Sequence, residues 1–435
     1  MLRLRLSLSN ATILAIGILM VVVSSNINWG KEHWRGIIET DAKGYFAYLP
    51  AVFVYHDMNF GFFDEIETAQ KQNKLYFDYR TEYKGVIVNK FFCGTALANV
   101  PFFLGAHAYA HMAGHETDGY SKPYPIGVNL AAVFYMLLGL LFLNRAMDTW
   151  NIREVPKTLT LLAALFGTNL FYYTIVEPGM SHVYSFAFVA MFVYYARRWF
   201  ATERGIYLLA LGLALGMVVL TRPVNGLIVF ILPFAAGSWP ALRDGVVRMF
   251  QRVPWLLAGA VGFVALLFVQ LTTYKLATGE FLVYSYAHET FHFLDPNMFN
   301  FLLSYKKGLF VYTPMFLLAF AGVGYWWRNA RFALWSWLGF FVLVVYVLSS
   351  WWLWWYGGSF SARVMVEYIP VMMIGLAMAL NHTTHKVWKP ALIGAVVTLT
   401  LLCQVQTYQY RYYQIHWEDM TSEKYWDVFL RLDKL

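Results

Sequence analysis

Ionisable residues at the edges of apolar segments are the first candidates for chemistry in this sequence. Glu39 and Asp41 lie two residues apart, just before a run rich in Tyr, Phe, Leu and Val that begins at Tyr45. A carboxylate in such a place can accept the proton of a hydroxyl that attacks an electrophile. An Asp at the start of a helix can also serve only as its cap. Position alone leaves both interpretations of Asp41 open.

A second group of ionisable residues lies in short connections between apolar runs. Glu177 and His182 flank Pro178-Gly179-Met180-Ser181, and the Pro-Gly pair predicts a turn. For these two side chains, a structural ion pair and a functional role are equally open. Arg222, in Thr221-Arg222-Pro223, interrupts two otherwise uncharged segments and therefore indicates an anionic partner.

A third stretch carries a motif with a specific chemical meaning. His288-Glu289-x-x-His292 matches the signature in which two imidazoles hold zinc and the Glu activates water. No further ligand follows at the metzincin spacing, so a zinc metalloprotease is kept as an alternative only. Lys306 and Lys307 come directly before the next apolar run, where they could bind a phosphate or simply extend toward water.

The stretch from Trp351 to Arg363 combines aromatic residues, two glycines and one cation. An interfacial belt explains the tryptophans, but it does not explain Gly357-Gly358 close to Arg363. Glycines allow close backbone approach, and the guanidinium fork suits phosphate oxygens. Glu367 follows four residues later. Arg363 is therefore the candidate anion-binding residue of this stretch.

The elements that position these residues are apolar and long. Of the 435 residues, 59% are hydrophobic and 13% charged, whereas soluble domains carry about 25% charged residues. Uncharged runs of about 20 residues are long enough to cross a bilayer as helices. We expect helices near the following ranges: 9–26, 93–112, 125–144, 158–176, 180–196, 205–221, 223–237, 254–273, 309–327, 332–350, 365–381 and 390–408.

Basic residues predict the orientation of these helices. Lys and Arg cluster in alternate connections, which marks those connections as cytoplasmic and accounts for the net charge of +8. The segment 91–112 breaks the alternation, and interruption at Asn99 and Pro101 would make it re-entrant. We therefore expect about eleven or twelve crossings. Cys93 and Cys403, both in apolar segments, give no indication of a disulfide framework.

The order of these motifs resembles the GT-C class of membrane glycosyltransferases, especially bacterial proteins similar to protein mannosyltransferases. The resemblance rests on Asp41 with Tyr45, Pro101-Phe102-Phe103, Asp118 to Ser121, the Glu177 to His182 turn, Thr221-Arg222-Pro223, Gly308 to Pro314 and Gly357 to Arg363. It implies an all-α integral membrane protein of GT-C type, with a polytopic domain over 1–410 and a short tail over 411–435. The first extracytoplasmic loop, 27–92, would be large and carry membrane-surface helices, and 275–307 would form a second one.

The resemblance also implies a function and a set of roles. Such enzymes move a sugar from a polyprenyl-phosphate carrier to an acceptor hydroxyl of a protein, glycan or lipid, on the outer face of the plasma or bacterial inner membrane. Asp41 would be the catalytic base. The substrate-binding candidates are Glu39, Tyr45, Glu177, His182, Arg222, Glu289, Lys306, Lys307 and Arg363. The scheme requires no cofactor, and it leaves room for a divalent metal without indicating one.

One further alternative concerns transport. A flippase or transporter of lipid-linked sugars would also be polytopic, but paired halves and broken helices at mid-membrane would be typical of it. The sequence shows no such symmetry. The composition gives no indication of nucleic-acid binding, since the basic excess follows the predicted cytoplasmic loops.

Overall fold

A computed structural model describes residues 6–70 and 76–433, and helices dominate this part of the chain. In chain order the α-helices are α1 (Leu8–Ser24), α2 (Asp41–Phe53), α3 (Phe63–Gln70), α4 (Gly94–Ala113), α5 (Pro123–Thr149), α6 (Glu154–Phe166), α7 (Leu170–Ile175), α8 (His182–Thr202), α9 (Ile206–Thr221), α10 (Leu232–Ala236), α11 (Trp239–Gln251), α12 (Val253–Thr278), α13 (Met298–Leu303), α14 (Leu309–Tyr312), α15 (Met315–Ala319), α16 (Val323–Asn329), α17 (Arg331–Ser349), α18 (Ile369–His382), α19 (Trp388–Arg411) and α20 (Ser422–Val428).

Tighter and wider helical turns continue several of these elements. A π-helical turn, Ser25–Trp29, extends α1. The 3-10 helices are His33–Ile37, Pro223–Ile231, Phe320–Gly322 and Arg363–Tyr368. The last of these runs directly into α18, so Arg363 opens a continuous helical segment.

The predicted all-α membrane architecture is confirmed, and the chain is a multi-pass membrane protein. Within the described residues, six helices are long and apolar enough to cross a membrane: Leu8–Trp29, Pro123–Thr149, Val253–Thr278, Arg331–Ser349, Arg363–His382 and Trp388–Arg411. The pair Pro223–Ala236 and Trp239–Gln251, bent by 120°, would make a seventh.

Other predicted segments are helical but shorter or interrupted. The range 158–176 is divided into α6 and α7 by residues 167–169, and 309–327 is divided into short pieces around Thr313-Pro314. Proline lacks the backbone N–H and clashes with the preceding turn, so a helix restarts at Pro314 instead of passing through it. These local breaks explain why fewer long helices appear than apolar runs.

The spanning helices differ in how much protein surrounds them. The window in Arg363–His382 is wholly buried, whereas only 11% of the window in Val253–Thr278 is. Val261 and Leu276 on α12 are 66% and 68% exposed, which is the surface that lipid tails would cover. Thus α18 forms the centre of the bundle, with α5, α6, α8 and α15 packed against it, and α12 lies at the edge beside α9.

The two ends of the bundle carry different chemistry. At one end, the Ser9 amide donates to Glu154, Lys157 pairs with Asp148 at 2.6 Å, and Arg153 donates to Asn381. At the opposite ends of the same helices lie Asn28, Asn129 and Ile175, joined by the Asn28 side-chain amide. The basic connections predicted to be cytoplasmic therefore gather at the end opposite to Asp41 and Glu177.

Helix α4 departs from the expected interruption. It runs without a break through Asn99 and Pro101. It lies antiparallel to the first half of α5, since Tyr135 donates to the Ala98 carbonyl and His107 contacts Tyr124 at 2.7 Å. Its start, Gly94, packs against the last turn of α9. Within the range 91–112, the chain is thus one continuous helix from Gly94 onward, beside the end of α9 that precedes Arg222.

The first loop differs from a set of membrane-surface helices. Every residue of α2 from Ala42 to Ala51 is buried, so this helix lies inside the protein and not along a membrane surface. Gly44 makes this packing possible, because a Cβ there would lie 2.4 Å from the Phe91 ring. The loop also contains an antiparallel hairpin, β1 (Arg80–Tyr83) and β2 (Val86–Asn89), joined by Lys84-Gly85 with positive φ at both residues.

The C-terminal tail returns to the body of the protein. Tyr425 on α20 packs against Tyr305 and Tyr312, and its hydroxyl accepts a hydrogen bond from Gln406 at 2.8 Å. Glu418 pairs with Lys306 at 2.7 Å. The tail therefore covers the loop that carries Lys306 and Lys307.

Candidate active site

A carboxylate and a guanidinium from opposite ends of the sequence form the centre of the candidate site. Arg363 Nη2 donates to Asp41 Oδ2 at 2.8 Å, and the two side chains are 12% and 18% exposed. Asp41 is the first residue of α2, and Thr40 occupies the cap position. Asp41 therefore does more than cap its helix: its carboxylate pairs with an anion-binding candidate.

The backbone just before each partner is strained. Thr40 has φ 49° and Ser361 has φ 60°, in the left-handed region that residues other than glycine rarely adopt. Such conformations cost about 1–3 kcal/mol each and persist where the surrounding structure imposes them. The Ser361 hydroxyl lies 3.1 Å from the Thr313 hydroxyl, and this hydrogen bond holds Ser361 in place. The fold thus maintains two unfavourable turns that bring Asp41 and Arg363 together.

Glu177 adds a second carboxylate to this centre. Tyr172 donates to its Oε1 at 3.0 Å, and Oε2 is enclosed without a hydrogen-bond partner among the described residues. Its charge interacts with those of Arg363, Asp41 and Lys307. Burial disfavours the carboxylate and raises the pKa of Glu177 to about 7, against the opposing effect of Arg363.

Lys307 is a second cation whose charge interacts with that of Glu177. Its side chain is buried, its ammonium donates to the Ser359 carbonyl, and it lies 4.9 Å from the centre of the Tyr410 ring. Burial lowers the pKa of Lys307 to about 7, although Glu177 and Glu418 act in the other direction. Burial therefore disfavours the charged form of both Glu177 and Lys307.

A buried ion network extends the site on the other side of Arg363. Glu367 is fully buried; its Oε1 lies 3.0 Å from His182 Nδ1 and 3.5 Å from Arg222 Nε. His182 opens α8, and Arg222 ends α9. Glu367 stands one turn after Arg363 in the same 3-10 helix. The sequence drew attention to Glu367 but did not identify it as the anionic partner that Arg222 required.

Tyrosines enclose the ionic groups. Tyr45 interacts electrostatically with Arg222, Asp41 and Arg363, and Tyr286 interacts with Tyr45, Arg222 and Asp41. Tyr173 accepts a hydrogen bond from the Phe360 amide at 3.0 Å. Only Tyr45 was singled out from the sequence, because single tyrosines in an aromatic-rich chain give no local signal.

The structure brings most, but not all, of the predicted site residues together. Those that meet are Asp41, Tyr45, Glu177, His182, Arg222, Lys307 and Arg363. Lys306 points away to Glu418 and lies 3.9 Å from the centre of the Trp355 ring. Glu289 pairs with Lys90. Glu39 lies next to the centre, with its carbonyl accepting from the Ala42 amide.

The zinc-like motif has no helical geometry. Residues 288–290 and 292 have no regular secondary structure, and Phe291 forms an isolated bridge with Trp351. Two histidines grip one ion in this motif because a helix places residues i and i+4 on one face. In the described part of the chain, no three His, Cys, Asp or Glu side chains are grouped to hold a metal ion. The metalloprotease alternative therefore has no geometric support.

The arrangement can accept a proton and bind an anion at one place. Asp41 and Glu177 are the acceptors; Arg363 and Lys307 are cations whose charges act on Glu177, and Arg222 acts on Tyr45 together with Asp41 and Arg363. A phosphate that approached Arg363 would compete with Asp41 for the guanidinium and would release that carboxylate. The site therefore suits a reaction in which a hydroxyl attacks and a phosphate departs.

Comparisons with known proteins find likeness in structure only. No family model and no curated protein matches the chain. One similar structure is an archaeal oligosaccharyltransferase, AglB from Archaeoglobus fulgidus, solved with an inhibitory peptide and a dolichol-phosphate. Its TM-score is 0.47 at 11% identity, and the match covers 97% of this chain and 57% of that protein. The apo form of an Archaeoglobus fulgidus oligosaccharyltransferase has a TM-score of 0.47 at 13% identity, with 96% and 57% covered. This chain thus spans little more than half of those proteins.

Proposed function

We propose that this protein is an inverting membrane glycosyltransferase that moves a sugar from a polyprenyl-phosphate carrier to an acceptor hydroxyl on the outer face of the membrane. The observation that carries the proposal is the contact of Arg363 with Asp41, with Arg222 and Lys307 nearby. A base and a set of phosphate-binding cations are the two things that this reaction needs. The membrane bundle supplies the place where a lipid carrier and an aqueous acceptor can meet.

The donor phosphate first binds at Arg363. Because the Arg363 guanidinium already pairs with Asp41, the phosphate displaces the carboxylate from at least part of that fork. Asp41 then faces the acceptor hydroxyl and accepts its proton as attack proceeds. Donor binding therefore frees Asp41 to act as the base, and without donor its pairing with Arg363 keeps it inactive.

The acceptor oxygen attacks the anomeric carbon from the side opposite the phosphate, through an oxocarbenium-like state that inverts the configuration. Negative charge grows on the departing phosphate. Arg363, Arg222 and Lys307 stabilise that charge more than they stabilise the bound donor, which is the condition for lowering the barrier. Glu367 and His182 hold Arg222 in place for this role.

The proposal predicts a specific donor requirement. Purified protein in lipid nanodiscs is incubated with polyprenyl-phosphate sugars and a pool of hydroxyl-bearing acceptors, and glycosylated product is measured. Wild type should transfer sugar from the lipid-linked donor and not from a nucleotide sugar. Asp41→Asn, which keeps the size of the side chain, should lose about 10²–10⁴-fold in rate.

A matched variant separates this function from proteolysis. His292→Ala changes the second histidine of the zinc-like motif, outside the proposed site, and should transfer sugar at the wild-type rate. Proteolysis that is inhibited by a chelator and abolished in His292→Ala, without sugar transfer, would replace the proposal with the metalloprotease alternative.

A further inference from the structure

Glu177 is a carboxylate whose role the proposed transfer mechanism leaves unassigned. The charged and titratable groups around it come from five parts of the chain: Arg363, Asp41, Lys307, Tyr172 with Tyr173, and Tyr410. Of its two oxygens, Oε1 accepts from Tyr172, whereas Oε2 is enclosed with no partner in the described part of the chain. A neutral carboxyl would have one hydrogen to donate from this second oxygen.

A second unsatisfied atom lies on the neighbouring cation. Arg363 Nε is also enclosed without a hydrogen-bond partner among the described residues, although Arg363 interacts electrostatically with Glu177. Enclosed polar atoms without partners cost about 1–3 kcal/mol each and in native proteins usually have a reason. A donor at Arg363 and a potential donor at Glu177, close to Lys307, match the oxygens of one phosphate.

We propose that Glu177 is the acid of the reaction: it carries a proton when the donor is bound and delivers that proton to the departing phosphate. This inference rests on the proposed glycosyltransferase function. In the step, the acceptor oxygen forms a bond to the anomeric carbon and its proton goes to Asp41. The bond from that carbon to the phosphate oxygen breaks, its electron pair stays on the phosphate, and the phosphate takes the Glu177 proton.

The balance of protons closes after product release. The step leaves Asp41 protonated, Glu177 ionised and the carrier as a singly charged phosphate monoester. Asp41 then loses its proton to solvent, and Glu177 takes one up. No other reactant is needed, and the net reaction exchanges the acceptor proton for the sugar.

Donor binding should itself favour the protonated form of Glu177. A phosphodiester brings one negative charge beside Glu177 and Lys307, and a nearby negative charge raises the pKa of both groups. Since both pKa values are about 7 without donor, donor binding near neutral pH should be accompanied by the uptake of protons. The donor complex would then contain a neutral Glu177 and a charged Lys307, the states needed for acid catalysis and phosphate binding.

Proton uptake provides a readout that is independent of turnover. Calorimetric titration of the protein in nanodiscs with a polyprenyl phosphate, in buffers of different ionisation enthalpy at pH 7.5, measures the protons taken up per carrier bound. Wild type should take up protons, and Glu177→Gln, which binds but cannot titrate, should take up fewer. Glu280→Gln is the matched control, because Glu280 pairs with Lys84 in an exposed part of the outer loops, and it should equal wild type.

The pH dependence of kcat then tests the chemical role. Wild-type kcat should fall as pH rises through the pKa of Glu177 in the donor complex, which lies above the value of about 7 that it has without donor. In Glu177→Gln this fall should disappear, and kcat at pH 7 should be about 10²-fold lower, with the KM for the donor little changed. Lys307→Arg, which keeps a cation at every pH, should retain the fall and thereby exclude Lys307 as its origin.

The outcomes separate this inference from the proposed function. If Glu177→Gln is folded and transfers sugar with the wild-type kcat and pH profile, the acid role is wrong while the glycosyltransferase function stands. If Glu177→Gln does not fold, Glu177→Asp replaces it: a lower kcat, with the midpoint of its fall with pH displaced from that of wild type, supports a titrating Glu177, whereas a wild-type kcat, midpoint and proton uptake in folded Glu177→Asp contradict the inference. Absence of transfer by wild type would overturn the function itself.

Discussion

Arg222 Nε lies 3.5 Å from Glu367 Oε1, although 145 residues separate them in the sequence. Glu367 is fully buried and also contacts His182, so it fixes the end of α9 against the start of α8. The pair places a cation beside the Asp41–Arg363 contact. It is also the anionic partner that an isolated Arg between two apolar helices indicated.

Replacing Glu367 should damage positioning more than chemistry. In Glu367→Gln, Arg222 keeps its charge and loses its anionic partner, which should destabilise the protein by an amount on the order of 3 kcal/mol. Donor KM should rise more than kcat falls, because Arg222 loses its orientation and the base is untouched. Thermal unfolding and steady-state transfer measure the two effects, with Glu280→Gln as control. A fall in kcat with an unchanged donor KM would contradict a positioning role.

The Arg363 guanidinium should not be replaceable by an ammonium. Arg363→Lys keeps the charge and loses the planar fork that can contact both Asp41 and a phosphate. We expect the donor KM to rise by about tenfold or more, which corresponds to the loss of one charge-assisted hydrogen bond of about 1.5–3 kcal/mol. Arg331→Lys, at the opposite end of the bundle, is the matched control. Wild-type donor affinity in Arg363→Lys would show that the donor phosphate binds elsewhere.

Gly44 should be indispensable to the placement of α2. A methyl group at Gly44 would lie 2.4 Å from the Phe91 ring and 2.7 Å from Tyr79 Cβ. Gly44→Ala should therefore destabilise the protein by about 1–3 kcal/mol and reduce transfer, because α2 carries Asp41. Gly105→Ala, in α4 with no atom within 4 Å of its added methyl, should be neutral or slightly stabilising. Equal melting temperatures for the two variants would contradict this packing.

Cysteine labelling can establish the sidedness. Cys93 and Cys403 are buried, so they should react slowly with a membrane-impermeant maleimide. Lys424→Cys lies in the tail near the site, and Lys386→Cys lies at the opposite end; both positions are exposed. In intact cells Lys424→Cys should be labelled and Lys386→Cys only after permeabilisation. The reverse pattern would place the site on the cytoplasmic side.

The sequence could identify the site's ionic residues because charge is scarce in this chain. Glu177, His182, Arg222 and Arg363 stand at the ends of apolar runs, where an ionised side chain is expensive unless it is paired or used. The helices carrying them followed from apolar length alone. The scarce charges and the length of the apolar runs are local features, so a single sequence is enough to reveal them.

The sequence could not predict which side chains pair or in which direction they point, because both depend on long-range packing. Nothing local distinguishes Lys307, which turns inward, from Lys306, which pairs with Glu418 on the returning tail. Glu289 looked like a site residue beside two histidines, but Lys90, from the end of the first loop, neutralises it. The buried position of α2 was hidden for the same reason, since its aromatic residues find partners in the segment between β2 and α4, in α4 and in the loop before α5.

The most direct test of the central claim separates donor binding from the chemical step in Asp41→Asn. Donor affinity is measured by titration, and the rate of a single turnover is measured after mixing preloaded donor complex with acceptor. Because Asp41 competes with the phosphate for Arg363, Asp41→Asn should bind the donor at least as tightly as wild type, and its single-turnover rate should fall by about 10²–10⁴-fold. A wild-type single-turnover rate in Asp41→Asn would contradict the assignment of Asp41 as the base.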